Sequence, residues 1–268
     1  MKSTHLFALV TVALAGCIST SFTAMAQNVG DLNAVSVSGK QRMHSQRVLK
    51  AYSQLGLGIS PEKAGAVLAA SLTELKSNNA ELRSSAKEPN LAALQSQAAL
   101  IEKLAEVTAT PPNAASLQRA VQVSEELLNN AEALTQGLIK SGNEAPAAMV
   151  NLAARQRMLS QRAAGSYLAY QTLKSPDLKA RALKATADFK IAISAFDDAK
   201  AEFPQVADRI EMSRIQMIFF ENALSNIDNP TKEQFTTIAT TSERILGEMD
   251  LMTADIVKQL AARNAKKK

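Results

Sequence analysis

The sequence is poor in the residue types on which catalytic and metal sites are commonly built. Tryptophan is absent, Cys17 is the single cysteine, and the two histidines are His5 and His44. One cysteine cannot form a disulfide within the chain, and two histidines are too few for a histidine-based metal site or a catalytic triad. Phosphate-binding loops, Gly-x-Ser-x-Gly turns and Cys-x-x-Cys pairs are also missing. We therefore expect a protein that is not an enzyme and that uses no cofactor and no metal.

Residues 1–26 have the parts of an export signal: a positively charged start, an apolar run, and a small-x-small cleavage site that ends at Ala26. Cleavage there would release the protein into the periplasm. Residues 14–17 (LAGC) also resemble a bacterial lipobox, in which Cys17 would carry a lipid and anchor the protein at a membrane. We favour cleavage after Ala26, because the apolar run continues beyond Cys17 to a well-formed site. We predict no permanent membrane span, because no segment is long and apolar enough.

The remainder is dominated by residues that favour helices, and glycine and proline cluster at a few points. These breaks fall at residues 56–61, 88–90, 110–112, 141–146, 175–177, 203–204 and 228–230. They predict eight helices, four on each side of Gly142, and no strand, because alternation of period two is not sustained. We predict an all-α fold of two tandem antiparallel four-helix bundles, at residues 27–143 and 144–263, followed by a basic tail at residues 264–268.

The tail and the aromatic residues are assigned structural roles. Export and the lack of aromatic residues near the tail argue against nucleic-acid binding, so we interpret the tail as a solvated helix end. The phenylalanines of the second predicted bundle are expected to pack in its core; they are Phe189, Phe196, Phe203, Phe219 and Phe220.

One short motif occurs twice. Residues 39–47 (GKQRMHSQR) return as residues 154–162 (ARQRMLSQR), so the pattern Q-R-M-x-S-Q-R is kept at an offset of 115 positions. This spacing is far longer than the period of about 20–50 residues found in solenoid repeats. The repeat therefore indicates two copies of a small domain, with the motif in the first helix of each copy.

At helical spacing, each copy places one arginine and one glutamine on an otherwise apolar face. Arg42 shares its face with Val35, Gly39, Gln46 and Leu49; Arg157 shares its face with Val150, Ala154, Gln161, Ala164 and Leu168. A buried guanidinium is costly without a partner, so we expect either a carboxylate from another helix or a bound anion.

The small residues Gly39 and Ala154, one turn before each arginine, would leave room for a helix or a ligand. The cations on the second face, Arg47 and Arg162, are expected to be solvated or paired with acidic neighbours.

Residues 37–47 (VSGKQRMHSQR) and, more strongly, residues 151–162 (NLAARQRMLSQR) resemble the first-helix motif of a periplasmic sensor domain. This domain is shared by NarX-type nitrate/nitrite sensor kinases and PilJ-type type IV pili methyl-accepting chemotaxis transducers. The resemblance implies a four-helix bundle over essentially residues 27–263, as two copies. In the nitrate sensors the motif helices of two subunits hold one anion through the arginine and the glycine one turn before it. The resemblance thus implies Arg42 with Gly39, and Arg157, as ligand-binding residues.

The sequence departs from the family pattern at several points. Ala154 replaces the family glycine in the second copy, and His44 stands where the second copy has Leu159. No transmembrane helix, HAMP linker, kinase or methyl-accepting region follows the predicted bundles. We therefore expect a stand-alone sensory module that passes its state to a separate partner protein.

The leading hypothesis is that this module binds a small oxyanion of the nitrate or nitrite kind through Arg42 and Arg157. Two guanidinium groups suit a planar oxyanion, because each can donate two parallel hydrogen bonds. The arginines would meet within one chain as a pseudo-dimer, or across a homodimer, with Gln46 and Gln161 beside them. The alternative is an envelope adaptor or structural protein whose arginines form interior ion pairs. A carboxylate near both arginines would favour the adaptor, and a vacant cationic gap would favour ligand binding.

Overall fold

The computed structural model describes residues 13–141, 144–201 and 203–266, which are helical and contain no strand. The helices are α1 (Ala13–Gly56), α2 (Pro61–Ser85), α3 (Asn90–Thr108), α4 (Ala114–Ser141), α5 (Glu144–Leu173), α6 (Pro176–Ser194), α7 (Phe196–Ala199), a 3-10 turn η1 (Pro204–Val206), α8 (Ala207–Leu224) and α9 (Lys232–Lys266). We call α1–α4 the first half and α5–α9 the second half. The predicted all-α fold is confirmed.

The predicted breaks coincide with the loops. Between α1 and α2, Gly58 and Ser60 have positive φ angles of 68° and 46°, and Pro61 begins α2. This left-handed backbone reverses the chain, and proline suits the first helical position because its missing N–H has no partner there. The structure adds one feature to the predicted eight helices, because α6 ends at Ser194 and α7 adds a single turn before η1.

Some of the predicted features fall outside the described residues. Gly142 and Asn143, the predicted break between the halves, lie between the assigned ends of α4 and α5. The side chains of residues 13–30, including Cys17, and those of the basic tail also lie outside them. Within the described region, α1 continues through Ala26, the predicted cleavage site.

The two motif helices lie in the centre of the molecule. In the first half α1 packs on α2 and α4, and α3 packs on α2 and α4. In the second half α5 packs on α6 and α9, and α8 packs on α9. The halves join chiefly through α1 against α5, with α4 touching α5 and α9 touching α1. Most of the buried apolar side chains form one continuous cluster that includes both halves.

Helices α1 and α5 run parallel and in register. A Cβ added at Gly39 would lie 2.8 Å from Cβ of Ala154, its counterpart in the repeat. Eleven residues further along, a Cβ added at Gly165 would lie 3.3 Å from the backbone nitrogen of Lys50, which is again its counterpart. Because counterparts meet at both points, the halves are related by an approximate two-fold axis along the α1–α5 seam.

The buried positions extend this correspondence to the other helices. They pair α4 with α9 at an offset of 118 positions, α3 with α8 at 116, and α2 with α6 at 114. The expected burial of the phenylalanines holds for Phe189, Phe196, Phe203 and Phe220 but is wrong for Phe219, which is 52 % exposed. Phe219 lies on the outer face of α8, directly beside the buried Phe220.

Candidate functional site

The predicted apolar faces of both motif helices are buried. Arg42 and Arg157 are 0 % and 1 % exposed, which makes them the largest fully buried side chains among the described residues. The other members of both faces are buried as well. The helical spacing therefore identified these positions correctly.

Arg42 is held by both halves of the molecule. Its Nη1 donates to Oε2 of Glu132 on α4 at 2.5 Å, and its Nη2 donates to Oδ1 of Asn151 on α5 at 2.7 Å. Its Nε has no hydrogen-bond acceptor among the described residues. Arg42 therefore combines an ion pair within its own half with one hydrogen bond across the seam.

Arg157 repeats this arrangement. Its Nη1 donates to Oδ1 of Asp250 on α9 at 2.6 Å, and its Nη2 donates to the carbonyl oxygen of Ser36 on α1 at 3.1 Å. Its Nε also lacks an acceptor within the described part of the chain. Asp250 is the counterpart of Glu132, and Ser36 is the counterpart of Asn151. The approximate two-fold axis thus relates the contacts as well as the helices.

The two guanidinium groups converge at Gly39. The Nη2 atoms of Arg42 and Arg157 each lie 3.3 Å from the place where a Cβ of residue 39 would be. They are therefore no further apart than twice that distance, and a larger residue at position 39 would push against both. Glycine at this position avoids that contact.

Burial lowers the pKa of both arginines, while their carboxylate partners raise it. The proximity of Arg42 also lowers the pKa of Arg157. Burial raises the pKa of Glu132, but the charge of Arg42 and the hydrogen bonds from Gln136 and Arg42 together outweigh burial and hold this pKa below its usual range. An arginine stays protonated at neutral pH, so the seam holds two mutually repelling cations, each balanced by one carboxylate.

The two predicted glutamines bind the flanking helices and not the seam. Nε2 of Gln46 donates to the carbonyl oxygen of Ser124 on α4 at 3.2 Å, and Nε2 of Gln161 donates to that of Ser242 on α9 at 2.9 Å. The structure therefore brings together Gly39, Arg42, Ala154 and Arg157, while the glutamines tie each motif helix to the last helix of its own half.

The cations on the second face are paired, as the sequence indicated. Arg47 of α1 donates to Glu243 of α9 through Nε at 3.1 Å and through Nη2 at 2.5 Å. Its counterpart Arg162 of α5 donates to Glu125 of α4 at 2.9 Å. Each of these arginines thus crosses to the last helix of the opposite half, and the two ion pairs fasten the halves together.

Sequence analysis missed Lys50, which is fully buried and bonds to Glu243 and to the hydroxyl of Ser242. Burial lowers the pKa of Lys50 to about 8. Burial raises the pKa of Glu243, but the charges and hydrogen bonds of Lys50 and Arg47 together lower it by more, so that the pKa is about 2. The spacing of Arg47 and Lys50 on one helix face hints at a shared carboxylate, but nothing local in the sequence indicates Glu243 as that carboxylate.

His44 is buried near the seam. Burial lowers its pKa to about 3, and the nearby charges of Arg47, Arg157 and Lys40 contribute in the same direction, opposed by Asp250. The imidazole is therefore neutral at physiological pH. Among the residues that the structure describes, no group of three or more histidine, cysteine and acidic side chains could hold a metal ion.

A family model matches residues 23–135, which run from within α1 to within α4. It is the PilJ model, described as the type IV pili methyl-accepting chemotaxis transducer N-term. This segment is therefore similar to PilJ domains. PilJ domains are non-catalytic sensory domains, periplasmic in the transducers, that signal to partner proteins.

No curated protein and no solved structure matched the chain. None of the helices in the described region has a stretch long and apolar enough to cross a membrane.

Proposed function

We propose that the protein is an exported sensory module that binds one small oxyanion, of the nitrate or nitrite kind, between Arg42 and Arg157. The observation that carries the proposal is the convergence of two buried guanidinium groups on the space at Gly39. Repulsion between them is relieved by an anion placed between them. The unpaired Nε of each arginine supplies a further donor.

The proposal includes a second copy of the domain at residues 144–263 beside the first at residues 27–143. Two copies in one chain supply both arginines, so the site needs no second subunit. The parallel, in-register packing of α1 and α5 supports this pseudo-dimer. After cleavage at Ala26, the mature protein would act in the periplasm through a separate signalling partner.

The carboxylates of Glu132 and Asp250 would be displaced by the incoming anion. Their side chains are 37 % and 51 % exposed, so both can turn into solvent when their arginine bonds to the ligand. They lie on α4 and α9, the last helices of the two halves. Ligand binding would therefore loosen α4 and α9 from the motif helices, and this change is what a partner would recognise.

Calorimetric titration with nitrate and with nitrite tests the proposal. We expect saturable binding by the intact protein and no detectable heat from Arg42→Gln or Arg157→Gln. Arg119→Gln, an exposed arginine on α4, is the matched control and should bind like the unaltered protein. Absence of binding by the intact protein to both anions would refute the oxyanion site.

The paired carboxylates also favour a second candidate, an envelope adaptor whose arginines form interior ion pairs and hold no ligand. The double variant Glu132→Gln/Asp250→Asn distinguishes the two. In a sensor it should bind the anion about tenfold more tightly, because the competing carboxylates are gone. In an adaptor it should bind no anion and only lose stability.

A further inference from the structure

A groove lies between α4, α5 and α6. It has a volume of about 310 Å³ and an apolar lining that includes Leu128, Met158, Leu159 and Ala185. This volume is near the lower end of the range of about 300–1,000 Å³ that small-molecule sites occupy. It can take a molecule of modest size.

The polar wall of the groove is predominantly cationic. It carries Arg155, Arg162, Arg181 and Lys184, together with the carboxylates of Glu132 and Asp188. Glu132 is already paired with Arg42, and Glu125, behind the wall, is shared by Arg162 and Arg181. With Arg42 included, five cations therefore face three carboxylates, and the excess favours an anionic ligand.

Two of these cations have donors to spare. Arg181 forms an ion pair with Glu125 through its buried Nη1 at 3.3 Å, while its Nε and Nη2 make no hydrogen bond within the described part of the chain. Arg155 is exposed and makes neither a salt bridge nor a hydrogen bond within the described part of the chain. A ligand carboxylate that accepts from these nitrogens of Arg181 and Arg155 would form charge-assisted hydrogen bonds, which are stronger than neutral ones.

Of the four cations, the two on α5 have cationic counterparts in the first half, Lys40 and Arg47, but the two on α6 have none. The pattern of buried positions pairs Arg181 on α6 with Val67 on α2, and Lys184 with Ala70. Helix α2 thus packs on its motif helix without these cations, so the bundle does not require them. Their presence in one half only points to a role in binding.

We propose that the groove binds a small organic anion, a carboxylate attached to an apolar body. The carboxylate would accept hydrogen bonds from Arg181 and Arg155, with Lys184 at the rim, while the apolar body covers Met158 and Leu159. The site shares Glu132 with the oxyanion site at Gly39 but takes a different ligand, so the two sites are tested by different ligands and different variants.

Titration of the full protein with phenylacetate, octanoate and glutarate, followed by calorimetry, tests the proposal. We expect saturable binding of at least one of these carboxylates and no binding of 2-phenylacetamide, the neutral analogue of phenylacetate. Arg181→Val/Lys184→Ala, which installs the residues of the first half, should weaken binding by about tenfold or more. Lys184→Ala alone, at a residue that is 76 % exposed, should weaken it by about twofold to threefold without affecting folding.

The matched control is Lys63→Ala/Arg119→Ala, which removes two exposed positive charges on α2 and α4. It should bind the carboxylate like the unaltered protein. Binding that is equally weakened by the control would mean that net charge alone attracts the ligand, and this would overturn the site. No saturable binding of any of the three carboxylates would overturn it as well.

Discussion

The two halves share a seam but differ in how they surround it. At the seam, Arg42 and Arg157 make equivalent contacts, with Glu132 and Asn151 on one side and with Asp250 and Ser36 on the other. One turn earlier the pair Gly39 and Ala154 differs by a single methyl group. The two-fold axis therefore relates the contacts that hold the two arginines, and these contacts are alike in both halves.

Away from the seam, counterpart glutamates in the two halves bind different cations. Glu243 binds Arg47 and the buried Lys50, whereas its counterpart Glu125 binds Arg162 and Arg181. The counterpart of Lys50 is Gly165, whose missing side chain lets the backbone of Lys50 approach closely. The second cation bound by each glutamate therefore differs in position. Lys50 lies in the interior, whereas Arg181 lies in the wall of the groove.

The outer surfaces differ as well. The large exposed apolar side chains of the described region all lie in the second half, on α6, α8 and α9. On α8 they are Met212, Ile215, Ile218 and Phe219, where α3 carries Ser96, Ala99, Glu102 and Lys103. The interior of the pair is therefore constrained by its two-fold packing, while each outer face is free to differ.

Replacing the two counterpart glutamates should have the largest unequal effect. Glu243→Gln leaves Lys50 buried without an anion and should lower the free energy of unfolding by about 3 kcal/mol. Glu125→Gln should cost about 1 kcal/mol, because Arg162 and Arg181 are each 22 % exposed and can be rehydrated. Urea unfolding at pH 7 measures both, and equal losses would contradict the proposed asymmetry.

The ion pairs of Glu243 also make the stability of the protein depend on pH. The pKa of Glu243 is about 2 in the folded protein against an ordinary value of 4.5. Its contribution to stability is therefore present above pH 4.5 and is lost as the pH falls towards 2. The difference between the unaltered protein and Glu243→Gln should shrink over this range.

His44→Leu, which installs the residue found at the counterpart position Leu159, should make the protein more stable in acid. The pKa of His44 is about 3 in the folded protein and near 6.5 when unfolded, so the unfolded chain gains a proton first as the pH falls. Stability from this group is present above pH 6.5 and is lost towards pH 3. At pH 5 the variant should be more stable by about 2 kcal/mol, and at pH 7.5 about equal. Thermal unfolding at both pH values checks this, and an equal shift at both would count against a buried neutral imidazole.

Exchanging the small residues at the seam should have a smaller effect. Gly39→Ala should cost about 1 kcal/mol, because its methyl group meets Ala154 and both arginines, although alanine itself favours a helix. Adding Ala154→Gly should recover most of the lost stability, because removing the methyl group of residue 154 makes room for the one at residue 39. A double variant no better than Gly39→Ala in urea unfolding would contradict the close contact of these two positions.

The smallest effect is expected on the outer face of α8. Ile218→Glu/Phe219→Lys installs the residues of α3, and both side chains are more than half exposed. Surface changes of this kind usually alter stability by less than about 0.5 kcal/mol. A larger loss in thermal unfolding would show that this face is packed in solution.

The features that could be predicted from the sequence are those that a pattern within one helix reveals. The spacing of Val35, Gly39, Arg42, Gln46 and Leu49 is visible within one helix, so the burial of Arg42 follows from periodicity. The partners Glu132 and Asp250 could not be inferred, because they lie on α4 and α9, whose offset of 118 differs from the 115 of the motif. Loop lengths that differ between the halves hide this correspondence.

Lys50 was missed for a related reason. Its burial depends on Glu243, 193 positions away, and on the side-chain space that Gly165 leaves open. Phe219 was wrongly placed in the core because its neighbour Phe220 fills that position, and a pair of adjacent aromatic residues on a helix cannot point the same way. Tertiary context decided both cases.

In this protein one chain pairs its own two motif helices, parallel and in register, around Gly39 and Ala154. Oxidation of Gly39→Cys/Ala154→Cys, in a chain that begins at Gln27 and so contains no other cysteine, tests this pairing most directly. We predict a disulfide within a single chain, while Gly39→Cys/Gly165→Cys should form none, because eleven residues along a helix span about 16 Å. Failure of the first pair to link, or a bond that forms only between chains, would contradict the account.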